Sequence, residues 1–437
     1  MRNTSMKKSI VAVMFFGNLF VILAFWWQGS GPLFTSGGSA TIIALGRLVG
    51  LLGELFILVQ LVLIGRIRFV EQLFGFDKLN RIHRIIGYTW GASIILHPLL
   101  LTIGYAQSSQ ISLLAQFIDF ITNWEDVIKA FLGLALMIGV IIISISIIRR
   151  KLRYETWYFI HLLMYVGIFL IFQHQIHNGD TKQGTFYWYW FVLNFTVFGL
   201  VLVYRFLRPL YLAYKHEFRI EKIVEENDLV NSVYITGKKL NEYYFQAGQY
   251  AHVTFLKKGM WYTHPFSFST APHGDYLRLS IKRSGDFTSQ IQRLEPGTRM
   301  IIDGPFGIFT KRSAKTNKFL FIAAGIGITP IYSLIESLFP EHVDMILLYG
   351  NKTQSQATFI DDLNRMKVKI HHVFSQEDVR GFETGHIDKE KITRLVSDIK
   401  DRDVYICGPN DFMKETIEVL HELGVPKSQI HFERFGY

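Results

Sequence analysis

Two pairs of histidines carry the first chemical signal in this chain. His83 and His97 stand 14 residues apart in HRIIGYTWGASIILH, and His161 and His174 stand 13 apart in HLLMYVGIFLIFQH. At 1.5 Å of rise per residue, each pair is separated by roughly 20 Å along its helix. Two such helices side by side present two levels of facing imidazoles. Two axial nitrogens per level is the ligand set of a six-coordinate b-type haem iron. A lone histidine in an apolar helix is ordinarily a core residue bonded to a carbonyl. Four at matched depths in two segments of bilayer length are costly to bury and point to function. On an ideal helix 14 steps return to within about 40° of the start, but 13 steps land about 140° away. The second helix is therefore expected to bend, or its rings to use different rotamers. His177, 16 residues after His161, fits no better.

A second group of signals lies in the C-terminal half. His264-Pro265-Phe266-Ser267 opens HPFSFST, where a hydroxyl beside a proline-fixed turn can reach a flavin ring nitrogen; the plain alternative is a strand with a proline bend. Lys282-Arg283-Ser284-Gly285-Asp286-Phe287-Thr288 follows a strand. The cations Lys282 and Arg283, the exposed amides around Gly285 and Asp286, and Thr288 suit a pyrophosphate, or else form a solvated turn. In AGIGITP, Gly325 and Gly327 let a phosphate approach the backbone, while Thr329 and Pro330 open a helix. The third glycine of the usual dinucleotide fingerprint is absent, and a tight strand–helix turn is the alternative. Cys407-Gly408-Pro409 ends a later strand on the edge where open parallel sheets bind ligands; Cys407 alone would read as a small buried hydrophobe. In Gly350-Asn351-Lys352-Thr353-Gln354-Ser355 no acid follows the strand directly to claim a ribose hydroxyl. Lys352 and Ser355 are candidates for a 2′-phosphate, which favours NADPH and leaves NADH possible.

These residues must be positioned by two kinds of structure. The chain has 437 residues, 49% hydrophobic and only 19% charged, and nearly all long apolar runs precede about Leu207. Six segments are long enough to span a bilayer: about Ser9–Trp27, Thr41–Ile64, Ile85–Tyr105, Asp126–Ile148, Glu155–Gln175 and Phe186–Phe206. Cations gather in alternate connections: Arg2, Lys7 and Lys8; Arg66, Arg68, Lys78, Arg81 and Arg84; Arg149, Arg150, Lys151 and Arg153; Arg205, Arg208 and Lys215. The positive-inside rule puts both termini in the cytoplasm of a plasma-membrane protein, with His83 and His161 near the inner face. Arg47 and Glu54 interrupt the second segment. Arg47 either pairs with Glu54 seven residues on, or places a cation at the depth of the outer histidines. From His216 to about Lys311 short alternating strands predict an antiparallel β-barrel. From Asn317 the pattern turns to strand–helix–strand, an α/β doubly wound parallel sheet.

Composition excludes several classes. Cys407 is the only cysteine, so no intramolecular disulfide and no cysteine-based iron–sulfur or zinc site can form. The net charge of +10 lies largely beside apolar segments, which points to membrane topology and not to nucleic acid. No obligate protein partner is evident, and no dedicated metal-binding cluster is visible on the outer side.

Taken together, the two histidine pairs, the HPFS run, the GDFT turn, AGIGITP and CGP, in that order, resemble the NADPH oxidase and ferric reductase superfamily, closest to its short prokaryotic NADPH oxidases. The resemblance implies a multidomain membrane protein. Residues 1–214 would be a six-helix transmembrane di-haem bundle, 215–313 an FAD-binding β-barrel and 314–437 an NAD(P)H-binding α/β domain. It implies His83, His97, His161 and His174 as haem ligands. It implies His264 to Ser267 at the flavin ring, Gly285, Asp286 and Thr288 at its phosphates, and Gly325, Gly327, Thr329 and Pro330 at the nicotinamide dinucleotide. Cys407, Gly408 and Pro409 would stand beside the nicotinamide. Phe435, or less directly Tyr437, would be the C-terminal aromatic over the flavin. Arg47 resembles the arginine near the outer haem, although the residues after it depart from the commoner ALARAP pattern. The expected activity is electron transfer from NAD(P)H through FAD and two haems to dioxygen, giving superoxide. A ferric or cupric chelate is the alternative acceptor, and service to a partner protein a third reading.

Overall fold

The computed structural model describes residues 2–145, 151–152, 154–182, 184–366 and 368–434. Two compact units are present, one of Met1–Ile67 with Lys78–Val203, the other of Arg68–Asp77 with Tyr204–Tyr437.

The first unit is helical. Its elements are α1 (Arg2–Thr35) and α2 (Gly38–Ile64), then, after α3 (Arg68–Phe74), which belongs to the second unit, α4 (Phe76–Ser109), α5 (Leu113–Asn123), α6 (Val127–Ser144), α7 (Tyr154–Leu162), α8 (Met164–His177) and α9 (Gly184–Val201). Among the described residues six stretches are long and apolar enough to cross a membrane: Met6–Thr35, Gly38–Ile64, Phe76–Ser109, Val127–Ser144, Glu155–His177 and Gly184–His216. In hydrocarbon every backbone polar group must be satisfied internally, and a continuous helix does so. Outward faces carry bare apolar side chains, as at Val13, Phe16 and Phe20. Arg149, Arg150 and Arg153 lie outside the described residues.

Small residues let the helices approach closely. A Cβ added to Gly133 would lie 2.9 Å from the Gly167 carbonyl oxygen, and one at Gly167 would lie 2.7 Å from Met137 Cγ, so α6 and α8 cross nearly backbone to backbone. On α2, Cβ atoms at Gly46, Gly50 and Gly53 would meet Leu101, His97 and Ser93 of α4. The expected irregularity between His161 and His174 is a break at Leu163, which separates α7 from α8. Its N–H bonds the Ile160 carbonyl at 3.1 Å, a tightened turn that changes the phase of the second half. The short helix α5 was not evident in the sequence.

The second unit opens with α3 and, beyond a π-helical turn at Leu202–Leu207, α10 (Arg208–His216). Six strands follow: β1 (Arg219–Asn227), β2 (Val230–Thr236), β3 (Tyr250–Phe255), β4 (His264–Ser267), β5 (Leu277–Lys282) and β6 (Met300–Phe306). They form antiparallel sheets ordered β1-β2-β5 and β4-β3-β6. Bridges Phe268↔Leu279 and Arg219↔Arg299 join the two sheets at both seams, closing the expected barrel. Closure leaves no free edge, and Val233, Val253, Phe255 and Leu279 fill the interior.

The remaining strands are β7 (Lys318–Ala324), β8 (Asp344–Asn351), β9 (Lys369–Phe374), β10 (Glu383–Thr384), β11 (Asp403–Cys407) and β12 (Ile430–Phe432). They make one parallel sheet in the order β10-β9-β8-β7-β11-β12. Helices α11 (Ile328–Leu338), α12 (Ile360–Arg365), α13 (Lys389–Leu395) and α14 (Asn410–Glu422) connect them. Parallel strands buried on both faces read as unbroken apolar runs, and β7 and β11 do. The strand order reverses between β7 and β11, so their C-terminal ends form the switch-point crevice of a doubly wound sheet.

Candidate functional site

The four histidines meet in two pairs. The His83 and His161 ring centres are 6.3 Å apart, and those of His97 and His174 are 6.4 Å apart. Two metal–nitrogen bonds of about 2.0 Å, each with about 1.1 Å from nitrogen to ring centre, would put imidazole centres facing across an iron roughly 6.2 Å apart. Both pairs therefore fit an iron held between them. The Nδ1 positions agree. His97 Nδ1 donates to the Gly46 carbonyl at 2.8 Å, and His174 Nδ1 bonds the Ile171 carbonyl. His161 Nδ1 bonds Ser144 Oγ at 3.2 Å, while Ser144 also accepts from Trp157 and donates to Val140. In each case Nε2 is left with its lone pair, the arrangement of metal-bound histidine. Among the described residues His83 Nδ1, buried, has no hydrogen-bond partner, and its own carbonyl accepts from Gln60 at 2.9 Å.

The His97–His174 level opens on a chamber between the helices, lined mostly by apolar side chains. Arg47 lines it together with Tyr105, Trp124, Glu54 and Asp180. The local Arg47–Glu54 pair open in the sequence does not form. Arg47 instead donates to Asp180 at 2.9 Å and to the Tyr105 hydroxyl at 2.9 Å, and Ser30 donates to the other Asp180 oxygen at 2.7 Å. Glu54 accepts from Gln175 at 2.7 Å, and Gln175 accepts from the Trp190 indole at 2.9 Å. Glu54 Oε1 is buried with no partner among the described residues. Seven residues is a possible reach on one helix, but a partner 133 residues away carries the stronger geometry. Asp180 gave no signal in the sequence beyond being an acid between two apolar segments.

In the barrel, His264, Pro265, Phe266 and Ser267 form β4, paired with β3, and the His264 ring packs 4.0 Å from that of Phe287. Lys282 ends β5. Thr288 Oγ1 accepts from the N–H groups of Ser284 at 2.9 Å and Gly285 at 3.1 Å, so the threonine closes the turn it was expected to open to phosphate. A Cβ at Gly285 would meet nothing within 4 Å, so the turn can be approached closely, and Asp286 is exposed beside it.

At the switch point the two glycine motifs come together. A Cβ on Gly327 would collide with the Cys407 carbonyl, and one on Gly408 would lie 2.9 Å from Ala324 Cβ. Gly325 has φ 53°, a conformation that favours glycine. Thr329 donates to the Ile326 carbonyl at 3.0 Å, and Pro330 lies in the first turn of α11. Pro409 precedes α14 directly. Burial, with Glu433 close by, pushes the Cys407 thiol up, so it is a neutral thiol. Glu433 is buried beside Gly307, where an added Cβ would lie 2.7 Å from its Oε2. Burial, together with the charge of Glu71, raises the Glu433 carboxyl well above the usual range. Phe435 and Tyr437 lie outside the described residues. Lys352 is exposed after β8, but Glu377 reaches the same loop and accepts from the Gln354 N–H at 2.7 Å. That acid comes from beyond β9, so no reading of the residues after β8 could find it.

Comparison with known proteins bears on each part. Residues 49–172 match the family described as ferric reductase like transmembrane component, 219–310 an FAD-binding domain and 321–418 an oxidoreductase NAD-binding domain. Among curated relatives, flavohemoprotein A of Dictyostelium discoideum is 29% identical over 247 residues, half of this chain and 60% of that protein. The flavohemoprotein of Bacillus subtilis is 30% identical over 237 residues, half of this chain and 59% of that protein. The chain thus spans about three-fifths of the length of the curated relatives it matches. Among solved structures, a ferredoxin NADP+ reductase from Neisseria gonorrhoeae with bound FAD and NADP is 16% identical with a TM-score of 0.46, covering 51% of this chain and 99% of that one. With a ferric reductase-like transmembrane component followed by FAD-binding and NAD-binding domains, the chain has the architecture of the NADPH oxidase and ferric reductase superfamily.

Proposed function

We propose that this protein is a transmembrane oxidoreductase that carries electrons from cytoplasmic NADPH through FAD and two b-type haems to dioxygen on the opposite side, releasing superoxide. The observation that carries the reading is the pair of facing imidazole levels, with ring centres 6.3 and 6.4 Å apart on helices of membrane length. When bound, FAD would supply the conversion of a hydride into single electrons, and the haems would supply one-electron transfer.

The chain's own residues supply ligation, spacing and insulation. His83 with His161, and His97 with His174, hold the two irons, and the carbonyls of Gly46 and Ile171 lock the second level's tautomers. His264 to Ser267, Lys282, Gly285, Asp286 and Thr288 hold the flavin. Gly325, Gly327, Thr329, Pro330, Gly408 and Pro409 hold the dinucleotide, with Cys407 at the nicotinamide and Phe435 over the flavin. Arg47, held by Asp180 and Tyr105, keeps a positive charge in the chamber at the His97–His174 level, suited to a propionate or an anionic product. Residues 1–214, 215–313 and 314–437 act as the three domains, and alternating cations place both termini in the cytoplasm. NADPH is the preferred donor through Lys352. NADH is the alternative, because Glu377 stands at the same loop.

A second reading, reduction of a ferric or cupric chelate, is favoured by one observation. Glu125, Asp126 and His177 bring three metal-capable donor atoms within 4.8 Å of one another at the His174 end of α8, a grouping the sequence did not reveal. An acceptor panel on purified protein separates the readings. Superoxide dismutase-sensitive cytochrome c reduction in air supports oxygen, chelate reduction without oxygen supports the metal, and neither without an added protein supports service to a partner.

A further inference from the structure

We infer that Glu125, Asp126 and His177 form a binding site for a divalent transition-metal ion at the α8 C-terminus, separate from the two histidine levels. Asp126 Oδ2 lies 2.7 Å from His177 Nδ1, and Glu125 Oε1 lies 3.7 Å from it. A tetrahedral ion bound at about 2.1 Å sets its donors about 3.4 Å apart. The 2.7 and 3.7 Å separations lie on either side of that value, so small side-chain rotations suffice to bring the donors round an ion.

The donors are held from outside the trio. Lys129 binds the other oxygen, Asp126 Oδ1, at 2.7 Å and is itself bonded to Gln173 at 2.8 Å, which turns Oδ2 toward the imidazole. Asn178 donates to the Glu125 carbonyl at 2.8 Å and to the His174 carbonyl at 3.0 Å, tying the acid's backbone to the end of α8. Such outer partners orient first ligands at metal sites. One imidazole nitrogen with two carboxylates selects the borderline ions, Cu2+ or Zn2+ above Mg2+ or Ca2+. Two carboxylates and a neutral imidazole balance a divalent charge, and the nearby Lys129 leaves the occupied site with one net positive charge. His177 is three residues past His174 and belongs to neither facing pair, so the site adds to the redox centres and takes nothing from them. The inference concerns binding alone and holds whichever acceptor the protein uses.

The test is equilibrium dialysis of the untagged, haem-supplied full chain against Zn2+ alone, which cannot be reduced in turnover. One saturable equivalent is expected in wild type. His177→Ala and Glu125→Gln should each weaken it about tenfold or more, with the reduced-minus-oxidised haem spectrum unchanged. Equal Zn2+ affinity in wild type and both variants overturns the site, as does wild type with no saturable equivalent. Should His177→Ala lose its spectrum through misfolding, Glu125→Gln, whose side chain is 70% exposed, decides alone.

Discussion

His97 and Gly46 are joined by a 2.8 Å hydrogen bond from Nδ1–H to the carbonyl oxygen, and the ring lies against the glycine stripe of α2. A Cβ at Gly50 would come within 2.5 Å of His97 Nδ1. The helix backbone thus orients the ring directly, with no intervening side chain.

Gly50→Val is therefore expected to displace His97 and remove one of two haem equivalents. Pyridine haemochrome titration checks this; two equivalents with an unaltered spectrum would refute the contact as an orienting one.

Arg47 and Asp180 form a part-buried pair, their side chains 23% and 4% exposed. Arg47→Leu leaves the carboxylate with Ser30 but without its cation and should cost about 1–3 kcal/mol, whereas Arg47→Leu with Asp180→Leu should recover much of it. Thermal unfolding of the full chain in detergent measures both. A double variant as unstable as the single one would show that the pair is not the source.

Gly327 permits the approach of AGIGITP to the Cys407 carbonyl. Gly327→Val should separate the two motifs and raise KM for NADPH by tenfold or more, as expected for about 1.4 kcal/mol of lost binding, while the haem spectrum is unchanged. Steady-state kinetics with both nucleotides decide it; an unchanged KM would place the dinucleotide elsewhere.

Asp398 has a carboxyl held down at about 2, first by hydrogen bonds from Arg402 and further by Lys318. A pKa lowered on folding stabilises the folded state above the unfolded value near 4, and that contribution is lost as pH falls through 4 toward 2. Asp398→Asn should lower the midpoint temperature at pH 7, with the difference from wild type shrinking below pH 4. A difference that grows on acidification would reverse the assigned sign.

Much of this architecture was legible in the chain. Hydrocarbon and parallel sheets both impose long apolar runs, and a barrel imposes short alternating ones, so composition alone separated the two halves. The histidine pairs were legible because their spacing matches bilayer depth, and AGIGITP and CGP because glycine is needed wherever backbones touch. What lay beyond the sequence is what depends on distant partners. The 13-residue spacing required an irregularity, but only packing placed it at Leu163. Arg47 took Asp180 over the nearer Glu54, Glu377 entered the loop after β8 from the loop after β9, and His177 met Glu125 and Asp126 across a helix connection. Periodicity reports which face of an element is buried. It does not report which side chain from another element will be there to meet it, because that choice is made by crossing angles and close approaches between helices and strands far apart in the chain.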